Sequence, residues 1–332
     1  MRFETHSHSM YSNIRLIDAI CKPEQLIQTA YDLGYAGITL TDHEALCGHI
    51  DFLNAEHSLK ETGKISQEFK CGLGNEIYLV ENRTPHEAQQ YFHFILIAKN
   101  EIGHRALREL SSNAWLNSYR YRGMERVPTL YSELEDIVKK YPNSLIGTNA
   151  CIGGQIGSLV LNLVEAETKG ELNKIYDYKS KIDSFIKWCK SLFGDDFYLE
   201  IAPGSSTDQK KFNKRIKNIA SFYNIKMIIA TDAHYLTAEQ REIHKSFLNS
   251  KNGEREVDSF YHDAHLMKDL EAFDKLKQFY SEDEFDIMCN NSLEIMNKIE
   301  SYNIFHNPII PEVDVQCGPP VIDNELNNYP IL

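Results

Sequence analysis

The chain has 332 residues, enough for one large α/β domain or two smaller ones, and its 42% hydrophobic and 25% charged content is ordinary for a globular protein. A formal net charge of −13 excludes a general nucleic-acid coat protein, which is basic, so any nucleic acid must be met locally. No apolar run reaches the ~18 residues of a membrane helix, the opening "MRFETHSHSMYS" lacks a signal-peptide core, and seven scattered cysteines without CxxC spacing point to a reducing, cytoplasmic setting.

Short apolar runs alternate with helix-like stretches. The strand-like runs are 2–5, 36–41, 69–74, 92–98, 144–148, 197–202 and 226–231. Between the first two, Pro23 suits a first helical turn, Leu26, Ile27, Ala30 and Leu33 make an apolar stripe, and Gly34 stops the helix. Residues 207–223 repeat this pattern, with Phe212, Ile216, Ile219 and Tyr223 facing inward. Such alternation predicts a parallel α/β sheet. Polar candidates stand at the ends of many strands, which favours closure into a TIM-like barrel. An open sheet would gather them at one switch point. The barrel is expected over 1–240, with a helical insertion at about 155–190. A mainly helical extension follows over 241–332, and its tail from about 307 is Pro-rich and aperiodic.

The chemistry lies in short strings that end the strand-like runs. His6-Ser7-His8 ends "RFETHSH", Thr41-Asp42-His43 ends "GITLTDH", and Thr231-Asp232-Ala233-His234 ends "KMIIATDAH". A strand puts residues i and i+2 on one face, so His6 with His8, and Asp232 with His234, can each point at one place. Imidazole and carboxylate are ligands for Zn²⁺, Mn²⁺ or Fe²⁺. Gly74-Asn75-Glu76 adds a carboxylate, "YFHFILIAKN" adds His93 and "SLIGTNACIGG" adds Cys151. His93 precedes its apolar run, whereas a barrel ligand should follow one. A hairpin of "EIYLV" and "YFHFILIA" about Thr84-Pro85 repairs this, because it sets 76 and 93 nearly symmetrically across the turn.

These strings, with "HFILIAKNEIGHRALRELSS" and "FYLEI", resemble the polymerase-and-histidinol-phosphatase (PHP) domain that begins the alpha subunit of bacterial DNA polymerase III. They stand in the family's order over about residues 3–240. "HKSFLNSKNGEREVDSFYHDAHLMKDLEAF" and "NPIIPEV" resemble the segment leading toward the polymerase palm. The resemblance implies a distorted (β/α)7 barrel holding two to three divalent metals (Zn, Mn or Fe). Its ligands would be His6, His8, Asp18, His43, Glu76, His93, Cys151, Asp232 and His234, with Glu76, Asp232 and His43 closest to the chemistry. In most members the acid at the Asp18 position follows "YS" more closely; here "NIRLI" intervenes. The implied activity is phosphodiester hydrolysis, as a 3′–5′ exonuclease on single-stranded or primer-template DNA beside a polymerase core. A stand-alone phosphatase and a non-catalytic module of a replicative polymerase are the alternatives. The palm lies beyond this stretch in the family, and Glu312 and Asp314 sit in the Pro-rich tail, so primer extension is not expected.

Blander readings stay open for some residues. Cys151 suits a small buried side chain. Asp18 suits a helix N-terminus. Asp42 suits either a partner for a ligand histidine or a cap. His49, His57, His86, His104, His244, His262 and His265 match no ligand position and read mostly as surface residues. Arg105, Arg108, Arg120, Arg122 and Arg126 interleave with Trp115, Tyr119 and Tyr121. That mixture suits single-stranded DNA. The favoured reading is instead an amphipathic helix over 101–117, with a solvated face and Trp115 in the core.

Overall fold

The computed structural model describes residues 1–14, 17–250, 261–307 and 310. Met1–Tyr302 form one compact unit, and Asn303–Leu332 a separate one in which the Pro-rich tail, with Glu312 and Asp314, lies outside the described residues. Among the described residues no helix is long and apolar enough to cross a membrane, and the six described cysteines are free.

Among the described residues there are ten strands: β1 (Phe3–Glu4), β2 (Gly37–Leu40), β3 (Lys70–Val80), β4 (Phe92–Ala98), β5 (Tyr119–Tyr121), β6 (Met124–Arg126), β7 (Thr129–Leu130), β8 (Leu145–Thr148), β9 (Phe197–Ile201) and β10 (Met227–Ile229). Seven build the main sheet in the order β1-β2-β3-β4-β8-β9-β10, while β7 pairs with β3 and β5 with β6. Every main-sheet pairing is parallel except the two made by β4, which runs against β3 and β8. The ends of the sheet meet through a parallel bridge between Ser7 and Ala233, with His8 N donating to Ala233 O at 2.9 Å. The sheet is thus a nearly closed barrel, as the strand-end chemistry predicts.

The predicted helices form with their apolar stripes buried. Helix α1 (Pro23–Asp32) buries Leu26, Ile27 and Ala30, and α7 (Thr207–Tyr223) buries Phe212 and Ile216. Ser206 caps α7 by accepting from Gln209 N. Helices α2 (His49–Glu61), α3 (Glu101–Leu116), α4 (Tyr131–Lys140), α5 (Gln155–Lys169) and α6 (Leu172–Phe193) complete the barrel's helices. Then come α8 (Arg241–Asn249), α9 (Asp269–Leu276) and α10 (Glu282–Lys298).

Strand alternation sorts the core. Phe3, Ile95, Ile97, Ile146, Tyr198 and Ile228 form one apolar cluster with Ile295 of α10 and Ile299. Their strand neighbours Leu96, Leu145, Leu199 and Ile229 join the larger cluster shared with α3–α7. Burying a leucine or isoleucine is worth about 1.5–3 kcal/mol, so this double layer fixes the rim on which the polar residues stand.

Sequence and structure differ in places. Strand β3 runs on through Gly74 to Val80, because a β-carbon at Gly74 would lie 2.6 Å from Leu96 O and only glycine lets β4 approach there. The β3–β4 hairpin forms, but Tyr78 stands opposite His93 and Glu76 opposite Ile95. Residue 76 is therefore the diagonal neighbour of 93, on the same face. Four histidines expected at the surface are buried: His49, His104, His244 and His265. Each finds a polar partner, inside for three as detailed below and in the partly exposed Glu271 for His265. Trp115 is half-buried at the rim rather than in the core.

Candidate metal centre

The parallel strands end at one mouth of the barrel, and the reversed strand β4 begins there. This single inversion explains why His93 stands at the start of its strand whereas His6, His8, His43, Cys151, Asp232 and His234 follow theirs. Glu76 projects from within the long β3. Asp18 lies in the loop before α1, not in a helix. All nine candidates meet at this mouth. Eight are buried and His93 is half-buried.

Their donor atoms form three overlapping groups, each within 4.8 Å: His8, His43 and His234; His6, His8 and Asp232; Glu76, His93 and Cys151. Glu76 links them. Its Oε1 lies 2.6 Å from His93 Nδ1, and its Oε2 lies 2.5 Å from His43 Nδ1 and 3.4 Å from His8 Nε2. Asp232 Oδ1 is 3.2 Å from both His6 Nε2 and His8 Nε2. Asp18 Oδ2 contacts His43 Nε2 and lies 3.2 Å from His234 Nε2. Cys151 Sγ is 3.7 Å from His93 Nδ1.

Surrounding acceptors assign the imidazole protons. Glu200 Oε1 lies 2.7 Å from His6 Nδ1. His234 Nδ1 donates to Asp232 O at 2.8 Å. Ser12 Oγ gives its own proton to Asp42 Oδ1 at 2.8 Å, so it accepts from His8 Nδ1 at 3.2 Å. In all three rings Nδ1 carries the proton and Nε2 turns a lone pair inward. Two of those nitrogens, on His6 and His8, are 3.0 Å apart. Asp42 thus works through Ser12, and it also holds Ser9 by its backbone N–H and hydroxyl.

This arrangement fits divalent cations. Converging lone pairs repel unless a cation lies between them. Glu76 Oε1 and Oε2 and Asp232 Oδ1 are buried and accept no well-aligned hydrogen bond, although imidazole nitrogens stand close by. Three carboxylates buried together need compensating positive charge. Burial opposes ionisation of Glu76 and Asp232, yet the flanking histidines hold both carboxyls well below the usual carboxylate range. Burial likewise disfavours charging His43, but Glu76 and Asp18 raise it to about 10. For His8, burial and the neighbouring His43 and His234 lower it to about 3. Burial pushes the Cys151 thiol up, so a bound cation would be needed to hold it as thiolate.

Backbone strain concentrates at this mouth. Glu44, Ala150 and Asp232, each a ligand candidate or next to one, have φ of 53°, 55° and 49°. Left-handed backbone in such residues costs about 1–3 kcal/mol. At Gly154 a β-carbon would lie 2.1 Å from Asn149 O and 3.0 Å from His93 O, so glycine lets the Cys151 loop close on β4.

Several supporting residues escaped the sequence reading. Glu200 is one acid in the buried strand "FYLEI", and Tyr198 two residues earlier lies in the apolar cluster. A lone carboxylate inside a buried strand was the available signal. Tyr78 OH lies 3.1 Å from His43 Nδ1. Tyr261 OH donates to Asp18 Oδ1 at 2.6 Å, and His244 Nε2 donates to Asp18 O at 2.6 Å. Both come from the helical extension, and nothing local in sequence links them to residue 18.

The chain is 38% identical over 317 residues, 93% of its length, to the Probable DNA polymerase YorL of Bacillus subtilis (strain 168). It matches the DNA-directed DNA polymerase of Bacillus phage SPbeta to the same extent. It is 29% identical over 332 residues to the DNA polymerase III subunit alpha of Borreliella burgdorferi, covering 98% of this chain and 26% of that protein. The chain spans about a quarter of the length of these relatives. The family model of the PHP domain matches residues 4–204, and the chain belongs to that family.

Proposed function

We propose that this chain is a metal-dependent phosphoesterase that hydrolyses DNA phosphodiesters from the 3′ end, using a trinuclear site formed by the nine residues at the barrel mouth. The observation that carries it is the linked set of three donor groups around Glu76, in which imidazole nitrogens converge on the buried oxygens of Glu76 and Asp232 that lack hydrogen-bond partners. The names of the relatives favour DNA as substrate and a polymerase core as partner.

Divalent cations bound there would acidify water and neutralise phosphate oxygens. The residues supply the rest. Glu76 turns one oxygen toward His93 and the other toward His43 and His8, which suits a carboxylate shared between two positions. Asp232 does the same for His6 and His8 through one oxygen. His43 has carboxylates at both ring nitrogens, Asp18 at Nε2 and Glu76 at Nδ1, which fix the orientation of its ring at the mouth. Mixed N, O and S donors admit Zn²⁺, Mn²⁺ or Fe²⁺.

Elemental analysis of the purified chain, read beside degradation of 3′-labelled single-stranded DNA, tests the proposal. Two to three metals per chain, with hydrolysis abolished by chelator and restored by Mn²⁺, is the expected outcome. Less than one metal after reconstitution with Mn²⁺ or Zn²⁺ would sink it. Bound metals without hydrolysis of DNA or an aryl phosphate would leave a non-catalytic polymerase module as the better reading.

A further inference from the structure

We infer that the segment 115–126 guides single-stranded DNA into the barrel mouth; the identity of the strand rests on the phosphoesterase reading above. Trp115, at the end of α3, donates its indole N–H to Glu44 O at 2.7 Å, on the residue after His43. The chain then forms the β5–β6 hairpin, turning at Arg122 and Gly123, whose φ values are 51° and 77°. Paired positive values of φ match the twist of a tight hairpin, so this projection is stiff.

The hairpin is fastened to the segment that delivers His93. Tyr119 OH lies 2.9 Å from Tyr91 OH and accepts from Gln89 Nε2 at 2.5 Å. The Arg126 guanidinium stands 4.8 Å above the Tyr91 ring, two residues before His93. Segment 115–126 therefore borders the mouth from the His43 loop to the His93 strand.

Its chemistry differs from that of the chain as a whole. The hairpin carries Arg120, Arg122 and Arg126 against the single acid Glu125, on a chain of net charge −13. Arg120 is 80% exposed, with Glu125 3.6 Å away. Arg122 is exposed and lies 5.2 Å from the Tyr121 ring centroid. Guanidinium groups for phosphates, set among half-exposed Trp115, Tyr119 and Tyr121 for bases, are what a single strand requires. A rigid duplex has no unstacked bases to offer these rings. On a chain whose net charge is −13, this local excess of arginine favours the strand beside the site.

The test uses the full 332-residue chain loaded with Mn²⁺ and a fluorescent twelve-nucleotide oligo-dT with phosphorothioate linkages, read by anisotropy. The variant Arg120→Gln/Arg122→Asn removes both exposed charges, and asparagine tolerates the left-handed backbone at 122. It should bind the oligonucleotide ~10-fold more weakly, and the slope of log affinity against log salt should fall by ~1.4 for two lost phosphate contacts. Its metal content and its hydrolysis of bis(p-nitrophenyl) phosphate should match those of the parent chain. Tyr121→Ser, which keeps every charge, should weaken binding by ~5-fold or more. If the double variant loses its circular dichroism, Arg120→Gln alone carries the test, with ~3-fold weaker binding expected. Oligonucleotide affinity and salt slope unchanged in the folded arginine and tyrosine variants overturn the inference, even if the chain hydrolyses DNA. Arginine-dependent binding by a chain that cleaves neither substrate supports the guide while the phosphoesterase reading falls.

Discussion

Two buried imidazole pairs in this chain have nearly the same geometry and opposite character. His43 and His234 approach to 3.4 Å through their Nε2 atoms, and His49 Nδ1 and His104 Nε2 to 3.1 Å. The first pair stands among Asp18, Glu76 and Asp232. The second has the Gly74 carbonyl, which accepts from His49 Nε2 at 2.9 Å, and no carboxylate in contact among the described residues. For His49, burial and then the neighbouring His104 lower the ring to about 3; for His104, burial and then Arg108 lower it to about 4. Burial by itself yields a neutral, hydrogen-bonded structural pair. Burial with carboxylates yields a centre that needs cations.

Breaking the first environment should have the largest effect. Glu76→Gln is expected to bring metal content below one per chain and to reduce aryl phosphate hydrolysis by ~100-fold or more, since it removes the oxygen shared between groups. Parent-like metal content and activity would contradict the reading of Glu76 as the link. His104→Ala should leave metal content unchanged but destabilise the fold by ~1–3 kcal/mol in urea unfolding, because His49 Nδ1 loses its buried donor. A fall in metal content there would erase the contrast between the pairs.

Two smaller effects sharpen it. Glu200→Gln should weaken metal affinity by ~10-fold in chelator competition, with partial recovery in Glu200→Asp, because the carboxylate that holds the His6 proton on Nδ1 is lost. The last concerns pH. Between about pH 4 and 6.5 the unfolded chain protonates His49 and His104 while the folded chain does not. The unfolded state then binds more protons, so stability falls as pH drops through this window. The urea midpoint of the parent should decline more from pH 7 to pH 5 than that of His104→Gln; equal declines would remove the neutral-pair assignment.

The barrel was legible because its strands are short apolar runs that end in chemistry, and because helices such as 207–223 bury the face their spacing predicts. The gathering of eight of the nine residues at one mouth followed from the same rule, with the hairpin supplying the exception at His93, whereas Asp18 was implied by the family resemblance alone. The register of that hairpin was not legible: a loop of irregular turns links Val80 to Phe92, and it shifts the pairing by two residues. The four buried histidines were misplaced for a different reason. Three are satisfied by groups distant in sequence, such as Gly74 O for His49 or Asp18 O for His244, so no local pattern marks them as internal, while His265 has Glu271 six residues on. Glu200, Tyr261 and His244 stayed hidden likewise, because their partners are 194, 243 and 226 residues away.

The bridge from Ser7 to Ala233 also sets an order of events at the ribosome. His8 emerges 226 residues before His234, which at ~5–20 residues per second is roughly 10–45 s of synthesis. During that interval His6, His8, Asp18, His43, Glu76, His93 and Cys151 emerge in turn on an unfinished sheet that cannot close. Contacts so distant in sequence form late in folding. The nascent chain therefore presents a partial set of donors, with a free choice of cations, before Asp232 and His234 arrive to select among them. Which ion the proposed centre would carry then depends on what it can exchange at barrel closure, and not only on the final geometry of its ligands.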